Sequence, residues 1–211
     1  WTRVDLCEEA LRLGRVLAEQ MPKQGEVHGL VALMEIQSSR LGARRSAMGD
    51  PVLLLEQDRT QWNRLLIDRG LAALERAAAC GGEAGPYRLQ AAIAACHARA
   101  ASASDTDWPR IVAFYGELLA VQPSPIVALN RAVAVAMAFG PHVGLWIVDA
   151  LAADGALADY HLLPSVRGEL LRRSGRTDEA RAEFERAAEM TRNESERQLL
   201  ARRAAACTTP S

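Results

Sequence analysis

Gln90 and His97 lie seven positions apart in a run otherwise rich in alanine, Gln90-Ala-Ala-Ile-Ala-Ala-Cys-His97. On a helix that spacing is close to two turns, so both side chains share one face. An amide and an imidazole each donate and accept hydrogen bonds, which suits recognition of a peptide or of another domain. Asp105, Asp107 and Trp108 follow on a loop and the helix start after it. Asn130-Arg131 interrupts the apolar run Ile126 to Val135. A polar pair in such a helix must be hydrogen-bonded or line a groove, because an unsatisfied buried polar group is costly. Two readings stay open. These residues tie adjacent hairpins together, as satisfied buried polar groups usually do. Alternatively Gln90, His97, Asp107, Asn130 and Arg131 line a groove that holds a partner.

Other polar groups suggest less. Arg40, Arg44 and Arg45 sit in a segment rich in turn residues and either meet an acidic partner or are solvated. Asp58, Arg59 and Trp62 read as a cap and a packing anchor. His28, His97, His142 and His161 fall on different expected elements without metal-ligand spacing. Cys7, Cys80, Cys96 and Cys207 are scattered, as free thiols of a reducing cytoplasm would be. No zinc-protease helix, phosphate loop, dinucleotide fingerprint or nucleophile elbow occurs. No catalytic pair, cofactor or metal is therefore expected, and the chain reads as a non-enzyme.

The elements that position these residues are helices. Apolar residues make up 49% of the 211-residue chain but aromatics only 5%, so the core must be built from Ala, Leu, Val and Ile. Ala and Leu favour helix, and no alternating β-branched run competes. The clearest unit is Gly168 to Ala187: small residues at Gly168, Gly175, Ala180 and Ala187, with Phe184 among them. This is the spacing of a tetratricopeptide (TPR) helix–turn–helix. Ile111, Tyr115, Leu118 and Pro123 repeat its second half. Helices are expected over 3–21, 26–39, 52–79 with a break near Asp58, 86–100, 108–122, 125–139, 142–153, 160–174, 177–191 and 193–206. The last would cap a stack. The fold class is all-α, a TPR-like helical-repeat array (α-α superhelix) of about ten helices. Residues 1–80 form its first hairpins and residues 86–206 its repeats, expected to be one continuous domain. Net charge is −1, from 25 basic and 26 acidic residues, which argues against nonspecific nucleic-acid binding. There is no signal peptide or membrane-spanning run, so a cytoplasmic location is expected.

Several blocks carry a resemblance. Thr2 to Leu13, Gly29-Leu-Val-Ala-Leu-Met34, Leu55-Glu-Gln-Asp-Arg-Thr-Gln-Trp62, Tyr87 to His97, Thr106-Asp-Trp-Pro109 and Ser124 to Ala134 together resemble, in order, the long C-terminal extension of one group of extracytoplasmic-function (ECF) RNA polymerase sigma factors. The block Tyr87 to Ala134 is the most specific. In that group a TPR-containing domain follows the promoter-binding domains, which here would precede Trp1. The chain is thus expected to be a piece of a longer protein, with the sigma domains absent. The resemblance implies a regulatory protein–protein interaction domain that modulates transcription initiation. It would contact its own sigma domains, core RNA polymerase or a small YCII-like protein, without touching nucleic acid itself. The alternative is a small-molecule-sensing helical-repeat domain.

Overall fold

The computed structural model describes residues 4–46 and 49–207. Among them are ten α-helices, three 3-10 turns and no β-strand, an all-α array of helices as the composition implies. The helices are α1 (Val4–Gln20), α2 (Gly25–Ser38), α3 (Arg64–Ala79), α4 (Pro86–Arg99), α5 (Trp108–Val121), α6 (Pro125–Phe139), α7 (Pro141–Asp154), α8 (Leu162–Arg173), α9 (Thr177–Met190) and α10 (Glu194–Ala206). Proline occupies the first turn of α4, α5, α6 and α7, where its missing N–H costs nothing and its fixed φ suits the helix. No helix among the described residues is long and apolar enough to cross a membrane.

One expected helix is shorter than its composition suggests. Residues 52–63 hold two 3-10 turns, Leu54–Glu56 and Arg59–Gln61, and α3 begins only at Arg64. The cause is local competition for backbone donors. Asp58 accepts from the Thr60 N–H at 2.9 Å, and Asn63 accepts from the Leu66 N–H at 3.2 Å as the N-cap of α3.

The chain divides into two compact units, residues 1–122 and 123–211. The boundary therefore falls at Gln122/Pro123. The glycine-rich segment after residue 80 is a turn inside the first unit, because α4 packs back on α2 and α3.

In the first unit α2 is the central helix, packed by α1, α3 and α4. Gly29 makes this possible: a Cβ there would lie 2.7 Å from the Arg88 backbone nitrogen. Beside it, the Glu26 carboxylate accepts from the Tyr87 and Arg88 N–H groups at 2.8 and 3.1 Å. A residue of α2 thus supplies the cap that Gly85 cannot give α4, and places negative charge at a helix N-terminus. The apolar residues of α1 are mostly not buried. Leu11 is buried, whereas Leu6, Leu13, Val16 and Leu17 are exposed.

In the second unit the helices follow one another in space as in sequence: α6 on α7, α7 on α8, α8 on α9 and α9 on α10. Its core gathers Leu129, Leu145, Val148, Leu171, Phe184 and Leu200. Phe184 is fully buried, and a Cβ on Gly168 would stand 3.0 Å from its ring. Gly175 turns the chain between α8 and α9 with φ of 78°, a conformation L side chains disfavour. Gly168, Gly175, Ala180, Phe184 and Ala187 therefore perform the packing that their spacing implies.

Candidate functional site

The first unit carries a cluster of cations that the fold brings together from four segments. The end of α2 supplies Gln37, and the turn after it supplies Arg40. The Ser39 hydroxyl donates to the Ile36 carbonyl at 2.7 Å, and the Ser39 carbonyl accepts from the Asn63 N–H at 2.9 Å. The chain leaving α2 is thereby fixed to the segment preceding α3. A 3-10 turn at Gly42–Arg44 returns Arg44 toward Gln37. Arg40 and Arg44 both donate to the Gln37 side-chain carbonyl, Arg44 at 3.1 Å, and Arg44 also reaches the Gln37 backbone carbonyl at 3.2 Å.

The 3-10 turn Arg59–Gln61 supplies Arg59. Its guanidinium donates to the carbonyls of His97 (2.6 Å) and Ala100 (2.8 Å) and to the Thr106 hydroxyl (3.1 Å). The carbonyls at the end of α4 lack helical partners, and a cation is favourable there. Trp62 is only 3% exposed. The Arg40 and Arg59 guanidinium carbons lie 5.6 and 5.1 Å from its ring centroid, within cation–π range. His97 meets Trp108 edge-on, with centroids 5.2 Å apart.

Among the described residues no carboxylate forms an ion pair with Arg40, Arg44 or Arg59. Burial pushes Arg40 down to about 10, and the like charges of Arg44 and Arg59 add to the effect. Burial also pushes His97 down to about 4, assisted by Arg40 and Arg59, so its imidazole is neutral at pH 7. Arg59 is lowered by burial despite the opposing charge of Asp105. Trp62 Nε1 and His97 Nδ1 are buried without a hydrogen-bond partner in the protein. A cavity of about 210 Å³ is lined by Arg59, Thr60, Trp62 and Arg64 with Ala98 and Ala100. Guanidinium groups present planar N–H donors that match the oxygens of carboxylates and phosphates.

The five groove candidates do not assemble as one site within either unit. Gln90, His97 and Asp107 belong to the first unit, Asn130 and Arg131 to the second. Gln90 and His97 are both half-buried on α4. Asp107 is exposed and caps α5, accepting from the Arg110 N–H at 3.0 Å. Asn130 is exposed, so the demand that a buried polar group find a partner does not apply to it. Arg131 is half-buried, with its Nε lacking a partner.

Arg59 stands at the centre of the cluster, although the sequence suggests only a cap and an anchor there. That expectation holds for Asp58, whose bonds to Thr60 and Gln61 hold its carboxyl below the usual range, and for buried Trp62. A second polar pair was also missed. Glu35, 1% exposed on α2, accepts from Arg15 Nε of α1 at 2.7 Å.

Residues 1–78 match a family described as being of unknown function, DUF6596. The chain is also 45% identical over 192 residues to uncharacterized protein R00370 of Rhizobium meliloti (strain 1021). That alignment covers 91% of this chain and 45% of the relative, so the chain spans less than half of the relative's length. No solved structure matches the chain.

Proposed function

We propose that this chain is the regulatory interaction domain of an ECF sigma factor, which binds rather than catalyses and tunes transcription initiation by protein contacts. The observation that carries this reading is the ordered resemblance of its blocks, above all Tyr87 to Ala134, to the C-terminal extension of that group. Helices of the second unit that pack on their sequence neighbours support it, since helical-repeat stacks present extended surfaces to partners. The greater length of the Rhizobium relative leaves room for promoter-binding domains. The partner is the sigma domains themselves, core RNA polymerase or a small YCII-like protein. The test removes the segment corresponding to residues 1–211 from the longer protein and measures promoter-specific transcription in vitro. Loss of regulated output is expected; unchanged output overturns the reading.

One observation favours a second reading, a small-molecule sensor. Uncompensated guanidiniums beside buried, unpartnered ring nitrogens and a cavity are features of a polar ligand site. Here the ligand would shift the domain between a state that supports transcription and one that does not.

A further inference from the structure

We propose that Arg40, Arg44, Arg59 and Trp62 form a binding site for an oxyanion, a carboxylate or phosphate carried by a small molecule. The inference rests on the sensing reading and names the ligand class that reading lacks.

Three observations converge on it. The first is charge. Three guanidiniums gather in the first unit without an ion-paired carboxylate, Asp105 acting on Arg59 only through its field, although buried charges are normally paired. Three other half-buried arginines are paired: Arg15 with Glu35, Arg167 with Asp149 and Glu183, at 2.7 and 2.8 Å, and Arg203 with Glu169. The second is unused donors. An indole N–H can only donate, so the buried Trp62 Nε1 calls for an acceptor, and the protein supplies none. Arg40 and Arg44 share one amide oxygen, which leaves most of their N–H groups available. The third is space. The cavity of about 210 Å³ is lined by Arg59, Thr60, Trp62 and Arg64, with no acid; Arg40 and Arg44 lie outside this lining, Arg40 over the Trp62 ring. An oxygen anion satisfies all three conditions. A cation meets like charge, and an apolar ligand leaves the donors unsatisfied.

Arg59 also explains how such a site is held rigid. Its bonds to the end of α4 and to Thr106 fix the guanidinium in place. Pre-positioned donors lose less freedom on binding.

The experiment titrates the 211-residue chain at pH 7 with inorganic phosphate and, separately, with succinate, ionic strength being held constant with chloride. Proton–nitrogen NMR follows the Trp62 indole N–H and the arginine Nε–H resonances. Saturable displacement of the Trp62 and Arg40 signals is expected. The anion that saturates at the lower concentration identifies the source as phosphate or carboxylate. Arg40→Met is expected to weaken binding about tenfold. Arg44→Gln, on a half-exposed turn, gives the same direction if Arg40→Met loses helicity by circular dichroism. No saturable displacement with either anion overturns the site, as does equal displacement in both folded variants. Saturable binding that leaves promoter output unchanged in the longer protein removes the sensing reading and leaves the site standing.

Discussion

Two groups of arginines, one in each unit, are held in opposite ways. In the second, Arg167 bridges Asp149 and Glu183, and Arg203 meets Glu169 while its guanidinium lies 4.5 Å from the Phe184 centroid. In the first, Arg40, Arg44 and Arg59 end on carbonyls, an amide and the face of Trp62. Carbonyl dipoles hold a guanidinium in place without neutralising it. Arg167 and Arg203 are thus balanced by acids, as a scaffold's charges can be, and the Arg40 cluster retains positive charge where it is partly desolvated. Function is to be sought where the imbalance lies.

The largest expected effect marks the scaffold. Phe184→Ala empties a fully buried site against Gly168 and is expected to cost about 3–5 kcal/mol in urea unfolding. A loss below about 1 kcal/mol would mean that the second unit does not depend on this packing.

The next effect probes the charge in the first unit. His97 is held neutral, with its pKa lowered from 6.5 to about 4. The unfolded chain therefore binds the extra proton first as pH falls. The stabilisation is complete above about 6.5 and is lost between there and about 4, by about 3 kcal/mol in all. Unfolding free energies measured at pH 7 and pH 4.5 should show this drop, and His97→Gln should flatten it. An equal pH dependence in the variant would place the cause in other groups.

Arg59→Met should come third. It leaves the His97 and Ala100 carbonyls and the Thr106 hydroxyl without their donor, at about 2 kcal/mol. Hydrogen exchange at the end of α4 should rise in step.

The order of these effects also separates what could be read from the sequence from what could not. Phe184 and its glycine and alanines were legible because their partners lie within twenty residues, on two helices joined by Gly175. The starts of α4 to α7 were legible from prolines that can occupy only the first turn. The stretch 52–63 misled because Leu53, Leu54 and Leu55 resemble a helical face, while Asp58 and Asn63 decide the local conformation by binding nearby N–H groups. His97 stood out as a polar residue in an alanine-rich helix. Arg59 did not, because its acceptors lie 38 to 47 positions away. Glu35 was within reach: a carboxylate in a helix apolar almost all round demands a partner, and Arg15 is that partner. The pairing of Asn130 with Arg131 overstated the signal, since adjacent helical positions point about 100° apart and only one of the two is half-buried.

The smallest effect is the most direct test of the contrast between the units. Arg40→Met and Arg167→Met are compared by urea unfolding at pH 7 in a chloride buffer free of oxyanions. Arg167→Met leaves Asp149 and Glu183 unpaired and should lose about 1 kcal/mol. Arg40→Met removes a partly desolvated cation that no acid balances, and should be neutral or stabilise by up to about 1 kcal/mol. Opposite signs are the expected result. An equal loss in both variants would mean that Arg40 is already compensated inside the fold, and would contradict the assignment of the first unit's arginines to a ligand.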